Sequence, residues 1–393
     1  MLLSSIPAKF NIPFASSAGA GFIRPIPQTP TGTPGQASLQ AGFPPENFNP
    51  VAAGGTPPFG QDFNGLFNQV TAWTQFQNAG VAFPPYDPTF QTAVGGYPNT
   101  ALVSSLLVNG LIYMSIVDNN LTNPDAGGAG WITFFRAVVA NTDVYVNTTT
   151  GNDSNTGLSP STAKKTIGAA VTLAWSFPPS QFTITLHIAD GTYAEAVTIP
   201  LQPGPPVIFM GNTGSPSNVF VTGANNSHTF LGQGPNSVSI VGVRASALNT
   251  GAGNCCYLSQ NGCQMTVTNC IGSGANFSVA EAAGPASLKI GNFTFNGNAT
   301  QALDAINGGL IILSASVLGN FTVSGTPAFS QAFAVASTGT IGMSGGDQPT
   351  FTGAATGSRY NATLNGVINT NGEPGTYFPG NSGGTTSTGG QYA

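Results

Sequence analysis

The chain has 393 residues, of which 8 are Lys or Arg and 13 are Asp or Glu, a net charge of −5. So few cations cannot neutralise a run of phosphates, which excludes a basic nucleic-acid groove, and no block of like charge forms a solvating tail. The 53 Gly and 30 Pro would suit a disordered chain, but 40% of residues are hydrophobic and 26 are Phe, so a folded, mostly β protein with an uncharged polar skin is expected.

Residues 1–60 are rich in Pro, Gly, Ala and Ser and show neither helical nor strand period. They read as an extended arm. Its apolar side chains (Phe10, Phe14, Phe22, Ile23, Phe43) suit a groove on another protein. MLLSSIPAKF lacks a basic start and places Pro7 and Lys9 early, so a cleaved leader is not expected. Residues 61–139 read as a small α+β domain. Phe63, Leu66, Phe67, Val70, Trp73 and Phe76 recur at three- and four-residue steps, which predicts a helix over 61–79 with Asp62 as N-cap and Gly80 as stop. Its aromatic stripe packs either on the helix's own domain or along a three-chain seam. Leu102–Val117 predicts a hairpin turning at Asn109-Gly110. Ser104, Ser105, Asn109, Gly110 and Ser115 interrupt it, so no membrane span is expected. Trp131, Phe134 and Phe135 supply a second core cluster.

Residues 140–180 predict a leading strand and a cap helix over 161–175, capped by Ser161, with Ile167, Ala170, Val171, Ala174 and Trp175 on one face. From Pro178 short strands recur. Phe182, Ile184, Leu186 and Ile188 alternate with Thr183, Thr185 and His187. Further runs are VIFMG (207–211), VFVTG (219–223), SVSIVGV (237–243), QMTVTN (264–269), LKIGNFTFNG (288–297), SVLGNFTVSG (316–325) and QPTFTG (348–353). Gly297, Gly325 and Gly353 repeat at 28 residues. Such a period predicts a solenoid over 181–380 of roughly seven or eight coils, each stacked ~4.8 Å from the next. Residues 381–393 read as a flexible tail.

The chemistry-bearing residues are sparse. Cys255, Cys256, Cys263 and Cys270 do not have zinc-ligand spacing and read as small buried hydrophobes, with disulfide pairing left open. No metal or cofactor motif is present in usable context. From residue 180 the acids are Asp190, Glu195, Glu281, Asp304, Asp347 and Glu373, and the bases Arg244, Lys289 and Arg359. Asp190 reads as a turn residue. Glu281 and Asp304 are the candidate catalytic pair, because a separation of 23 is close to one coil. The repeat of 28 opposes this: it sets Glu281 against Gly309 and leaves Asp304 five residues off, so a solvated or turn role is expected. His187 is expected on the polar face of its strand and His228 in an Asn-rich loop. Asn292 and Asn320 share one repeat position and suggest an Asn ladder.

VYVNTTTGNDSNTGLSPSTAKKTIGAAVTLA (144–174), ITLHIADGTYAEAVTI (184–199) and YNATLNGVINTNGEPGTYFPG (360–380) resemble the opening, first coil and last coils of right-handed parallel β-helix domains of the pectin-lyase type. ASLQAGFPPENFNPVAAGGTPPFGQDFNGLF (37–67), PYDPTF (85–90), GGYP (95–98) and VDNNLTNPDAGGAGW (117–131) resemble the N-terminal region of phage tail proteins. Together they look like a bacteriophage tail fibre or tailspike. That resemblance implies a homotrimer on the virion, held to other tail proteins through residues 1–139, with Phe63, Phe67, Val70, Trp73 and Phe76 as attachment or trimer residues. It also implies a β-helix turned toward host-surface glycan. The alternatives are a polysaccharide depolymerase, glycosidase or lyase, and an adaptor on which another receptor-binding protein docks.

Overall fold

The computed structural model describes residues 9–80, 83–136, 140–224, 226–248, 253–314, 319–344 and 348–393. The chain divides into two compact units, Met1–Leu107 with Ile112–Phe134, and Val108–Leu111 with Phe135–Ala393. The expected arm is therefore part of the first unit, not a separate element.

In the first unit, helix α1 runs Gly60–Asn78. Asp62 does not cap it: the N-cap is Phe59, without a side-chain bond. Asp62 is instead fully buried, pairs with Arg24 Nε and accepts from the Ala37 N–H at 2.9 Å. The arm runs back along α1. Lys9 Nζ donates to Asn78 O, Gln75 Nε2 to Asn11 O, Asn68 Nδ2 to Phe14 O, and Asn64 Nδ2 to Phe22 O. A segment without regular structure must find partners for its own peptide groups, and the polar stripe of α1 supplies them.

Helix α2 (Pro88–Val94) is capped by Asp87, which accepts from the Thr89 and Phe90 N–H groups at 2.8 and 3.0 Å. The hairpin forms as expected, with β1 (Leu102–Ser104) antiparallel to β2 (Leu111–Ser115); β3 (Trp131–Arg136) completes a three-stranded sheet. The small core holds Tyr86, Tyr97 and Val103, with Trp131 packed against it. Phe134 is 53% exposed and does not join it; the Phe135 side chain lies outside the described residues.

The second unit is a parallel β-solenoid. Its coils have three sides, each a ladder of parallel strands in chain order. The first begins at Thr142–Val146 and Ile184–Ile188 and ends at Gln391–Tyr392; the second begins at Gly191–Ala194 and ends at Phe351–Thr352. The third runs from Val197–Thr198 to Thr385–Thr386 in eight strands. Alternation sets what points inward. On the first side Val144, Leu186, Phe209, Ile240, Val267, Ile290 and Leu313 stack in register and are at most 1% exposed. A chain of rings from all three sides fills the interior: Phe209, Phe230, Tyr257, Phe293, Phe295, Phe333 and Phe351, each 4.8–5.8 Å from the next.

On four rungs the bend from the first to the second side carries a left-handed position. Gly242, Asn269, Asn292 and Gly319 fill it, with φ of 69°, 53°, 46° and 90°, as Gly and Asn tolerate this conformation best. Asn292 Nδ2 donates to Asn269 Oδ1 at 3.1 Å. The Asn ladder thus joins 269 to 292, not 292 to 320. Asn320 accepts from the Thr350 N–H instead.

Helix α3 (Ile167–Trp175) covers the first rung, with Ile167, Ala170, Val171 and Ala174 buried. Its cap is Thr166, which accepts from the Ala169 N–H, while Ser161 belongs to a preceding 3-10 turn. Glu195 reaches from the next coil and accepts from the Ile167 and Gly168 N–H groups, both at 2.8 Å. Residues 381–393 are not a tail. Thr385–Thr386 and Gln391–Tyr392 add a further rung, and Tyr392 stacks on Tyr360 at 4.1 Å.

The arm's seat generates one prediction. A Cβ on Gly65 would lie 1.9 Å from Arg24 O. Gly65→Ala should therefore release the arm even though alanine favours the helix by ~1 kcal/mol. Limited proteolysis should cut the variant within residues 9–59 while the native chain stays whole there.

Candidate functional site

The third side brings together what the 28-residue repeat had separated. Glu281, on Ser278–Ala283, pairs in register with Asp304, on Ala299–Ile306. The extra residues of the 28-residue coil lie after Leu313, since Ser287–Ile290 pair with Leu310–Leu313 at 23 whereas Phe293 pairs with Phe321 at 28. The step from 281 to 304 precedes them. The next step changes again: Phe321 faces Phe351, so Gly353 is two positions off the expected repeat.

Both carboxyls point away from the interior column of Tyr257, Ala280, Leu303 and Ala334, in a row with Leu258 and Val335. They are nevertheless covered. Glu281 is 6% exposed and Asp304 1%, which overturns the expected solvated or turn role. The Cys255 thiol donates to Glu281 Oε2 at 3.0 Å. Gln301 Nε2 donates to Asp304 Oδ2 at 2.7 Å, and Ser278 Oγ approaches the same oxygen at 3.5 Å. Burial pushes Glu281 up to about 7, with Asp304 adding to the rise, and pushes Asp304 up to about 6. A carboxyl removed from water without a cation beside it holds its proton.

The neighbouring groups are quiet. All four cysteines are free and buried. Burial pushes Cys256 and Cys270 to about 12 and Cys263 to about 11, and holds Cys255 well above the usual thiol range with help from Glu281. None is a thiolate nucleophile at neutral pH. His228 Nδ1 accepts from the Cys255 N–H at 3.1 Å, and burial lowers its proton affinity, so it stays neutral. His187 sits on the outer face, as expected, stacked on Tyr145 at 5.1 Å and bonded to Asp143 at 2.9 Å. Asp190 accepts from Asn212 and Asn218 on the next coil, a structural turn contact. Asp347 lies outside the described residues. No group of three or more His, Cys, Asp or Glu side chains suited to a metal ion occurs among the described residues.

The attachment candidates are elsewhere, on α1. Phe63, Phe67, Val70, Trp73 and Phe76 are 39–55% exposed. The arm binds the polar face and also touches the stripe at two points, Phe14 edge-on to Phe67 at 5.7 Å and Phe43 stacked on Phe63 at 4.8 Å, while Val70 and Trp73 stay more than half exposed. Trp73 and Phe76 continue into a cleft of about 600 Å³ that also includes Pro85, Tyr86, Phe90 and Tyr97. Sequence periodicity found the stripe but could not say which face would be covered. Gln301, Ser278 and Cys255 carried no signal in the sequence, since their meeting depends on rung register.

No family model matches this chain, and no curated protein matches it. No helix among the described residues is long and apolar enough to cross a membrane.

The buried thiols give a direct check of the coil interior. Iodoacetamide followed by mass spectrometry should label none of the four cysteines in the native chain and all four in denaturant. Rapid native labelling of Cys255 would contradict its burial against Glu281.

Proposed function

We propose that this protein is a structural component of a phage virion, a tail fibre or short spike joined to the tail through residues 1–139. The observation that carries the reading is the half-exposed aromatic stripe of α1. Five large apolar side chains on one 19-residue helix stay 39–55% exposed although the chain's own arm binds the opposite face and touches Phe63 and Phe67, and a surface of that kind needs a partner. Three such helices meeting along one axis cover that stripe with identical copies. The resemblance of residues 37–131 to phage tail proteins supports this arrangement, and the polar-faced solenoid suits contact with host glycan through Asn, Ser, Thr and Tyr side chains.

Light scattering should give a mass near three times the 39.7 kDa of one chain. Phe67→Ser with Trp73→Ser should reduce it to a monomer with unchanged circular dichroism. A wild-type monomer would remove the trimer, and absence of the chain from purified virions would remove the viral role.

The register of Glu281 and Asp304 favours a second reading, a polysaccharide depolymerase. Glycoside cleavage needs both carboxyls in contact with the sugar, ~5–9.5 Å apart. Side chains 6% and 1% exposed do not offer that contact. Incubation with host capsule or lipopolysaccharide should release no oligosaccharide; release abolished by Glu281→Gln would establish the enzyme instead.

A further inference from the structure

Two oxygens within the Glu281–Asp304 cluster have no hydrogen-bond partner although both are buried: Asp304 Oδ1 and Gln301 Oε1. Both parent side chains are 1% exposed. The same two side chains already share one bond, Gln301 Nε2 to Asp304 Oδ2 at 2.7 Å. Two orphaned acceptors on a carboxyl and an amide that are joined at their other ends lack the same thing, a hydrogen between them. One proton on Asp304 Oδ1 gives the carboxyl a donor for the amide oxygen and closes a two-bond ring, whereas an ionised carboxylate would leave both oxygens unpaired at a cost of ~1–3 kcal/mol each.

We infer that Asp304 and Gln301 form a protonated acid–amide ring on the fifth of the eight strands of the third side, which with Glu281 in register on the fourth makes a pH-sensitive latch on this side of the coil. The groups that face it support a proton over a cation. Leu258 and Val335 flank the pair on neighbouring rungs and carry no charge. Cys255 donates a neutral thiol to Glu281, and His228 is engaged with the Cys255 N–H. Among the described residues the ion pairs are Arg24–Asp62 and His187–Asp143, so no basic side chain neutralises the latch.

The sign follows from linkage. Both carboxyls hold protons in the folded chain at pH values where they have lost them in the unfolded chain. Folding therefore binds protons between about pH 4 and 7, and stability is full in acid, falls as pH rises through that window and is level above it. The folded chain is most stable in acid and least stable once both groups ionise.

Urea unfolding of the full chain tests this. From pH 5 to pH 8 the folded-to-unfolded ratio should fall at least ~10-fold more in the wild type than in Asp304→Asn with Glu281→Gln. Asp304→Asn alone should be more stable than wild type at pH 8, because its amide can replace the acid in the ring. Equal slopes in the wild type and the double variant would overturn the latch, as would a less stable Asp304→Asn at pH 8 or recovery of wild-type stability at pH 8 by millimolar Ca²⁺. Should the variants fail to fold, infrared spectra of the wild type decide: a protonated-carboxyl C=O band should be present at pH 5 and lost by pH 8, and its absence at pH 5 would overturn the proposal.

Discussion

Each coil of the solenoid depends on the next one for its hydrogen bonds. A strand of three to five residues cannot satisfy its own N–H and C=O groups, and in a parallel ladder the partners come only from the rungs before and after. Register between rungs therefore decides everything else. It aligns Val144 with Leu186, Phe209, Ile240 and Val267 as one apolar column. It also sets the interior rings within contact of one another. A slip by one residue would turn each of these side chains to the outside.

The ends and corners follow from the same constraint. The first rung has an open edge, which α3 covers, and Glu195 from the following coil binds the helix N-terminus. At one corner four rungs hold a left-handed residue, and Gly and Asn recur there. The low charge of the chain is consistent with this construction, since outward positions on stacked rungs sit ~4.8 Å from their own kind and like charges there would repel.

Much of the solenoid was legible because alternation and apolar runs are local signals. Ile184, Leu186 and Ile188 declare their inward face within five residues. The alignment of Phe293 with Phe321 was also readable, since one repeat copied the other. What the sequence left open is where extra residues enter a coil. The insertion after Leu313 lengthens one step to 28 without touching the step before it, so the repeat argued against a contact between Glu281 and Asp304 that the register makes. The C-terminal residues were misread for a related reason: Thr385–Thr386 and Gln391–Tyr392 are polar, two-residue strands with little apolar signal of their own, ordered by the rung beneath. On α1 the aromatic period identified a face but not its cover, because Asn64, Asn68 and Gln75 bind peptide groups of the arm rather than water.

The rung register itself is open to a direct measurement. Thr266 and Lys289 face each other on successive rungs of the first side. A short thiol-to-thiol cross-linker applied to the native double variant Thr266→Cys with Lys289→Cys should join the two positions within one chain. The control Thr266→Cys with Thr294→Cys, which the 28-residue repeat would align, should stay unlinked because Thr294 lies five residues beyond Lys289, around the corner on the second side, opposite Ile271. Linkage of the control pair but not the first would contradict the stacked register from which the rest of the structure follows.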